Sequence, residues 1–156
     1  MPNSEKVKEA YNYLEDRFGV RKRELEGLKF REVSGDVWLK SEKDSGLESE
    51  TEGVRALRFM DIGVKPTTYF LQLLDSKIGR NVVGLEEDEF MLLLEDEMIE
   101  RDKDLIEESR YAVKEKGYVA LEYCGRVIGC GFFMDNLVSS RIPEGRASEL
   151  RESLMS

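Results

Sequence analysis

The sequence has no histidine, and among its 156 residues are only two cysteines and three prolines. Without histidine, the commonest general base and the usual serine or cysteine triads are excluded. Cys124 and Cys130 alone cannot provide a zinc site of Cys and His ligands, so we expect both thiols to be buried, small apolar side chains. No paired Asp, Glu or Lys constellation suggests another reaction. We therefore predict that the chain is not an enzyme and has no catalytic residues, metal or cofactor.

Long apolar runs are also missing. No stretch of about 18 apolar residues occurs, and the first ten residues, MPNSEKVKEA, contain no apolar core after a basic segment. We therefore expect a soluble, unexported, cytoplasmic protein without a membrane partner. Hydrophobic residues make up 40% of the chain and charged residues 37%, which is apolar enough for a folded core.

Negative charge is concentrated in one segment. The chain carries −9 overall, while residues 86–108 hold twelve carboxylates against two basic groups and so carry −10. The remainder is therefore +1, which permits a phosphate-binding face elsewhere. The acidic segment lacks the spacing of a calcium loop, so we interpret it as a solvated helical face.

The first third of the chain reads as a helix followed by two strands. Apolar residues at helical spacing predict a helix over residues 4–18, which Gly19 ends. Residues 28–30 and 36–40 are predicted strands joined through Gly35. The polar run over residues 41–53 is predicted to be an exposed loop or linker.

The middle of the chain mixes strands and helices. Residues 54–59 alternate apolar and basic side chains, which predicts a half-buried strand. Gly63 is expected to break this strand, and the turn that follows leads into a short helix over residues 67–75. Residues 81–85 are a predicted strand, and residues 86–94 a second helix with carboxylates near its N-terminus.

The last third is dominated by β-structure. The pattern over residues 97–111 fits either a charged helix or a strand and loop. GYVALEY and RVIGCGFF form a predicted hairpin that turns at Cys124 and Gly125, LVSSRIP adds a predicted edge strand, and residues 148–154 make a terminal helical turn. Gly125, Gly129 and Gly131 do not match a dinucleotide loop, so we expect them to let a bent strand approach neighbouring backbone. The order of elements indicates an α+β protein.

Basic and hydroxyl side chains suggest where an anion would bind. In GVKPTT, a turn that leads into a helix N-terminus would present backbone amides, Lys65 and the hydroxyls of Thr67 and Thr68 to a phosphate. An ordinary capped helix with an exposed lysine is the alternative. The arginines that could join this face are Arg55, Arg58, Arg126, Arg141 and Arg146.

Aromatic side chains could stack on unpaired bases. Tyr13 and Trp38 are candidates, although core packing is the expected role of a single tryptophan. For Phe132 and Phe133, strand alternation predicts that one ring is buried and the other accessible.

The segments KPTTYFLQLL, NVVGLEEDEF, GYVALEYCGRVIGCGFF and SSRIPEGRASELR together resemble a PUA-like domain. The chain is most similar to the PUA-like region at the C-terminal end of Sun-type ribosomal RNA cytosine-5 methyltransferases, through Gly125, Gly129, Gly131, Pro143 and Arg146. The resemblance implies a small N-terminal α/β segment over residues 1–53 and a PUA-like mixed β-barrel with interposed helices over residues 54–156. The family's catalytic domain and reactive cysteines are absent, so its chemistry is not implied.

The resemblance implies RNA contacts from Lys65, Pro66, Thr67 and Thr68, with Arg141 and Arg146. The leading hypothesis is therefore a non-catalytic protein that binds structured ribosomal or transfer RNA, in RNA modification or ribosome assembly. An RNA-modifying enzyme or a ribosomal protein would be a further partner. The alternative is a protein-interaction adaptor whose acidic segment, residues 86–108, docks a basic partner.

Overall fold

The structure is a computed structural model that describes residues 5–41, 54–101, 109–113 and 115–155. It has an α+β fold, as the sequence predicts. The helices are α1 (Glu5–Phe18), α2 (Thr68–Leu74), α3 (Glu87–Leu94) and α4 (Glu144–Met155). The strands are β1 (Leu28–Val33), β2 (Asp36–Ser41), β3 (Val54–Met60), β4 (Gly63–Pro66), β5 (Val82–Leu85), β6 (Ile99–Glu100), β7 (Gly117–Tyr123), β8 (Arg126–Met134) and β9 (Leu137–Ser140).

The first four strands form an antiparallel sheet in the order β1-β2-β3-β4. Ser34 and Gly35 both have positive φ angles, of 52° and 86°, and make the two-residue turn that the predicted hairpin requires. The predicted loop lies, apart from Ser41, outside the described residues. The boundary predicted between residues 53 and 54 falls between β2 and β3, which are hydrogen-bonded neighbours in this sheet. Two domains that met at this boundary would therefore share one sheet, with hydrogen bonds between a strand of each.

The segment predicted as a turn before α2 is a strand. Residues Gly63–Pro66 form β4 and pair antiparallel with β3, so that Lys65 lies opposite Arg58. Proline is tolerated here because β4 is an edge strand of the described sheet and Pro66 is its last residue. The helix then begins at Thr68, with Thr67 as its cap.

The second sheet is mixed, has the order β5-β7-β8-β9-β6, and curls into a half-barrel. Strand β5 pairs parallel with β7, while the remaining pairs are antiparallel. The predicted edge strand, β9, is not at the edge, because Ile99 and Glu100 pair with its outer side as β6. Of residues 97–111, the structure describes 97–101, which contain the short strand at residues 99–100, and 109–111, which form a turn.

Both faces of the second sheet are buried, by different elements. Along β7, Ala120 belongs to a core that also includes residues of α1, α2 and the first sheet. Its neighbours Val119 and Leu121 belong to a second core, formed with α3 and α4. This alternation explains the nearly continuous apolar run of β7, since a strand covered on both sides has no solvent face.

The C-terminal helix is longer than predicted. Its first backbone bond runs from the Ala147 amide to the Pro143 carbonyl, at 2.9 Å. Pro143 itself needs no amide partner there, so the proline that ends the strand region also permits the helix to begin. Ala147 and Leu150 contact the second core, which holds the helix in place.

Gly129 and Gly131 allow close packing in β8. The predicted approach to neighbouring backbone is confirmed at Gly131, whereas Gly129 meets side chains and an added Cβ at Gly125 would meet nothing within 4 Å. A Cβ atom at Gly129 would lie 2.4 Å from Ile142 Cγ1, and one at Gly131 would lie 2.9 Å from the Ser139 carbonyl oxygen. At Gly125, φ is +81°, which serves the hairpin turn with Cys124. Cys124 is exposed in this turn, whereas Cys130 is buried, and both are free thiols. The prediction that both cysteines are buried is therefore wrong for Cys124, because the tight turn projects it into solvent.

Replacing Gly129 with Ala should lower the free energy of unfolding by about 1–3 kcal/mol, because the added methyl group overlaps Ile142. Urea unfolding followed by circular dichroism measures this change. The matched control is Gly145→Ala, in α4, where an added Cβ meets no atom within 4 Å and no loss is expected. Equal stabilities of the two variants would contradict the proposed close contact.

Candidate nucleic-acid interface

Two cations lie side by side on the first sheet. Arg58 of β3 and Lys65 of β4 are directly opposed in the strand register. Directly opposed residues have their Cβ atoms roughly 5 Å apart, so these side chains share one stretch of surface. Arg58 is exposed and Lys65 is half-buried.

The chain after Lys65 joins the two sheets and brings in a third cation. The Cys130 amide of β8 donates a hydrogen bond to Thr68 Oγ1 at 3.2 Å, and the Cys130 carbonyl accepts one from the Arg141 amide at 2.8 Å. The segment that carries Lys65 and the segment that carries Arg141 therefore flank β8 at the same residue. Burial raises the pKa of the Cys130 thiol to about 12, and the nearby charges of Lys65 and Arg141 act in the opposite direction.

Two half-buried aromatic rings lie among these cations. Tyr118 of β7 and Phe132 of β8 are directly opposed, with ring centroids 5.0 Å apart and ring planes at 70°. The Arg141 guanidinium lies over Phe132, 5.2 Å from the ring centroid. Burial raises the pKa of Tyr118, while Arg141 and Arg58 oppose that rise. Arg58, Lys65, Tyr118, Phe132 and Arg141 thus form one cluster, which we call the ring–cation cluster.

The acidic helix lies on the other side of the second sheet. Tyr118 packs against the core that contains α1 and α2, on the face shared with Cys130. The residues of α3 that are buried, among them Phe90 and Leu93, pack into the core on the opposite face. The sheet therefore separates the carboxylates of α3 from the ring–cation cluster. A net charge of −9 does not by itself prevent this cluster from meeting an anion.

Comparison of the chain with protein-family models and with curated protein sequences gave no match. The function must therefore be inferred from the site. In the described ranges, no group of three or more Cys, Asp or Glu side chains could hold a metal ion. No helix among the same residues is long and apolar enough to cross a membrane.

At the start of α2, the two hydroxyls that the sequence offers to an anion, those of Thr67 and Thr68, have hydrogen-bond partners within the protein. Thr67 Oγ1 donates to the Arg55 carbonyl at 2.7 Å and accepts from the Phe70 amide at 3.2 Å. Thr68 is buried, and its Oγ1 accepts from Cys130. Both hydroxyls hold the fold together, and α2, at seven residues, is too short for a strong N-terminal field.

Three of the predicted arginines lie outside the ring–cation cluster. Arg55 lies over Trp38, 5.5 Å from the ring centroid, with its Nε atom 3.8 Å from Asp36 Oδ2. Arg126 begins β8 and is six residues from Phe132, which is about 20 Å along an extended strand. Arg146 pairs with Glu149 across 3.0 Å on α4. Of the eight predicted residues, the ring–cation cluster thus brings together Arg58, Lys65 and Arg141.

Sequence reasoning missed two residues beside these cations, Tyr118 and Arg17. Arg17 belongs to α1, and its Nε donates to the Tyr118 carbonyl at 2.7 Å. Strand alternation does place Tyr118 on one face of β7, but nothing in the sequence links it to Arg17, since 101 residues separate them. The prediction for the paired phenylalanines is confirmed, because Phe133 is buried and Phe132 is partly accessible.

Proposed function

We propose that the chain is a non-catalytic, cytoplasmic RNA-binding protein that recognises structured ribosomal or transfer RNA during RNA modification or ribosome assembly. The observation that supports this best is the ring–cation cluster. Arginine and lysine side chains neutralise phosphates, and accessible aromatic rings offer stacking surfaces to bases. In this cluster, Arg58 and Lys65 are opposed on neighbouring strands, and Arg141 lies over Phe132, which contacts Tyr118, within a strongly acidic chain.

The arrangement favours RNA over a small anion. A lone phosphate needs a few convergent donors, whereas a nucleic acid needs cations spread along a surface together with apolar faces between them. Arg58 and Lys65 belong to the first sheet and Arg141 follows the second, so the cations span the junction of the two sheets. Phosphate contacts of this kind would position the RNA by its shape.

Charge reversal of the cluster tests the proposal. In filter-binding titrations with a structured RNA hairpin, Arg58→Glu with Arg141→Glu should weaken binding by about tenfold or more, which corresponds to about 1.4 kcal/mol. The matched control is Arg126→Glu with Lys77→Glu, which changes the net charge equally at two exposed residues away from the rings. Coincident curves for the two double variants would reject the cluster as the binding face.

The second candidate is a protein-interaction adaptor, and one observation favours it. Leu92 and Met98 are 43% and 58% exposed, next to the carboxylates of Glu95 and Glu97. A basic partner with apolar side chains would match this surface. Co-purification that survives nuclease treatment and is lost on Leu92→Glu with Met98→Glu would favour the adaptor over RNA binding.

A further inference from the structure

An open cleft lies beside the ring–cation cluster. It has a volume of about 1140 Å³ and lies between the end of α1 and strands β4, β7 and β8. Tyr118 and Phe132 form part of its wall, and the Arg141 guanidinium lies over Phe132, so the cleft adjoins the ring–cation cluster. A volume of this size is sufficient for a nucleotide or a drug-sized ligand.

Two polar atoms beneath the cleft lack partners. Tyr13 Oη and Arg17 Nη2 are buried and have no hydrogen-bond partner within the described part of the chain. Such a group costs about 1–3 kcal/mol when it is left unsatisfied, so nearly all buried polar groups in proteins are paired. Both residues line the cleft, and a polar ligand that entered it would supply the missing acceptors after a small side-chain movement.

The position of Arg17 depends on a glycine. At Gly117, φ is +153°, and a Cβ atom there would lie 2.8 Å from Arg17 Cζ. The guanidinium can therefore lie flat against this peptide, while its Nε donates to the Tyr118 carbonyl. The cation is held at the base of the cleft by backbone contacts, and no carboxylate in the described ranges lies within salt-bridge distance of it.

The charges around the cleft indicate a ligand with both a flat ring and a phosphate. Arg17, Arg80 and Lys116 line it together with Asp16 and Glu115, so cations exceed carboxylates by one. This modest excess suits one phosphate better than a highly charged anion. The aromatic wall suits a base, because every base has a π-face that stacks on such rings.

We propose that the cleft receives one unpaired nucleotide of the bound RNA, with its base against Phe132 and its phosphate towards Arg17, Arg80 and Lys116. This inference rests on the proposed RNA-binding function. A base within a continuous helix leaves its stack only at a cost of about a few kcal/mol, whereas a bulged base does so at lower cost. The backbone on either side of that nucleotide would pass over Arg58, Lys65 and Arg141.

The test compares two RNA hairpins with the same stem, one of which carries a single bulged 2-aminopurine. Wild-type protein should bind the bulged hairpin about tenfold more tightly and quench the fluorescence of its 2-aminopurine, because base–aromatic stacking is worth about that much. Phe132→Leu should remove most of the quenching. Arg80→Gln with Lys116→Gln, both exposed residues, should reduce the preference for the bulged hairpin to about twofold. Arg126→Gln with Lys77→Gln should retain it.

The outcomes separate this inference from the proposed function. If wild-type protein binds both hairpins equally and without quenching, while Arg58→Glu with Arg141→Glu weakens both, the cleft does not take a nucleotide and the RNA-binding face stands. If neither hairpin binds, both proposals fail. Circular dichroism of each variant establishes that it is folded before its binding is compared.

Discussion

Replacing Arg110 with Met is expected to lower the free energy of unfolding by about 3 kcal/mol or more. Glu122 of β7 is 5% exposed, and its carboxylate accepts from Tyr111 Oη at 2.6 Å and lies 3.3 Å from Arg110 Nη1. Without the guanidinium, this carboxylate stays buried with one donor. The Asp75 carbonyl also loses the bond that Arg110 Nη2 donates to it at 3.2 Å. Urea unfolding measures the loss.

The same substitution at an exposed ion pair is the control. Arg146→Met breaks the pair with Glu149, whose side chain is 69% exposed, and should cost about 0.5 kcal/mol or less. Adding Glu122→Leu to Arg110→Met should restore part of the stability, because the uncompensated charge is removed together with its partner. A loss below about 1 kcal/mol for Arg110→Met would show that Glu122 is solvated or otherwise paired.

Local patterns in the sequence predict most of the elements. The four-three-four spacing of Val7, Leu14 and their neighbours locates α1, and the positive-φ pair Ser34 and Gly35 matches the predicted hairpin turn. The strand from Gly63 to Pro66 is harder to predict, because a glycine followed three residues later by a proline is typical of a turn. The hydrogen-bond partners that β3 offers decide in favour of a strand, and they depend on tertiary structure.

The pairing of the two rings could not be predicted from the sequence. A two-residue turn at Cys124 and Gly125, continued regularly, would place Tyr118 opposite Gly131. The register shifts at Leu121 and Glu122, where Ile128 is the extra residue of a bulge, and this shift brings Tyr118 opposite Phe132. The residues around Ile128 do not by themselves require a bulge. The contact between Tyr118 and Phe132 therefore depends on how the whole sheet assembles.

Some of the cations in the cluster could be predicted from the sequence, and others could not be distinguished from it. Lys65 and Arg141 are predicted together through a resemblance, and the structure places both segments at Cys130. Arg126, which the sequence presents as equivalent, lies at the opposite end of β8. The spacing of residues along the sequence does not show which end of a strand lies beside which neighbouring element. The sequence therefore predicts which residue types could bind RNA, and the fold determines which of those residues lie together.

The affinity for RNA should fall steeply with salt. If Arg58, Lys65 and Arg141 each neutralise one phosphate, a logarithmic plot of affinity against salt has a slope between about −2 and −2.7. A fourfold rise in salt concentration then weakens binding by about 20- to 40-fold, because condensed counterions are no longer released as favourably. Filter binding at several salt concentrations measures this slope.

The slope also distinguishes the cations from the rings. Arg58→Gln with Arg141→Gln removes two phosphate contacts, so the slope should become shallower by about 1.4 to 1.8, while Lys65 retains the remaining dependence. Phe132→Leu should weaken binding at every salt concentration and leave the slope unchanged, because stacking releases no counterions. An unchanged slope in the arginine variant would mean that other cations carry the phosphate contacts. A shallower slope in Phe132→Leu would instead mean that the ring acts by holding Arg141 in place, since the Arg141 guanidinium lies 5.2 Å from the centroid of the Phe132 ring.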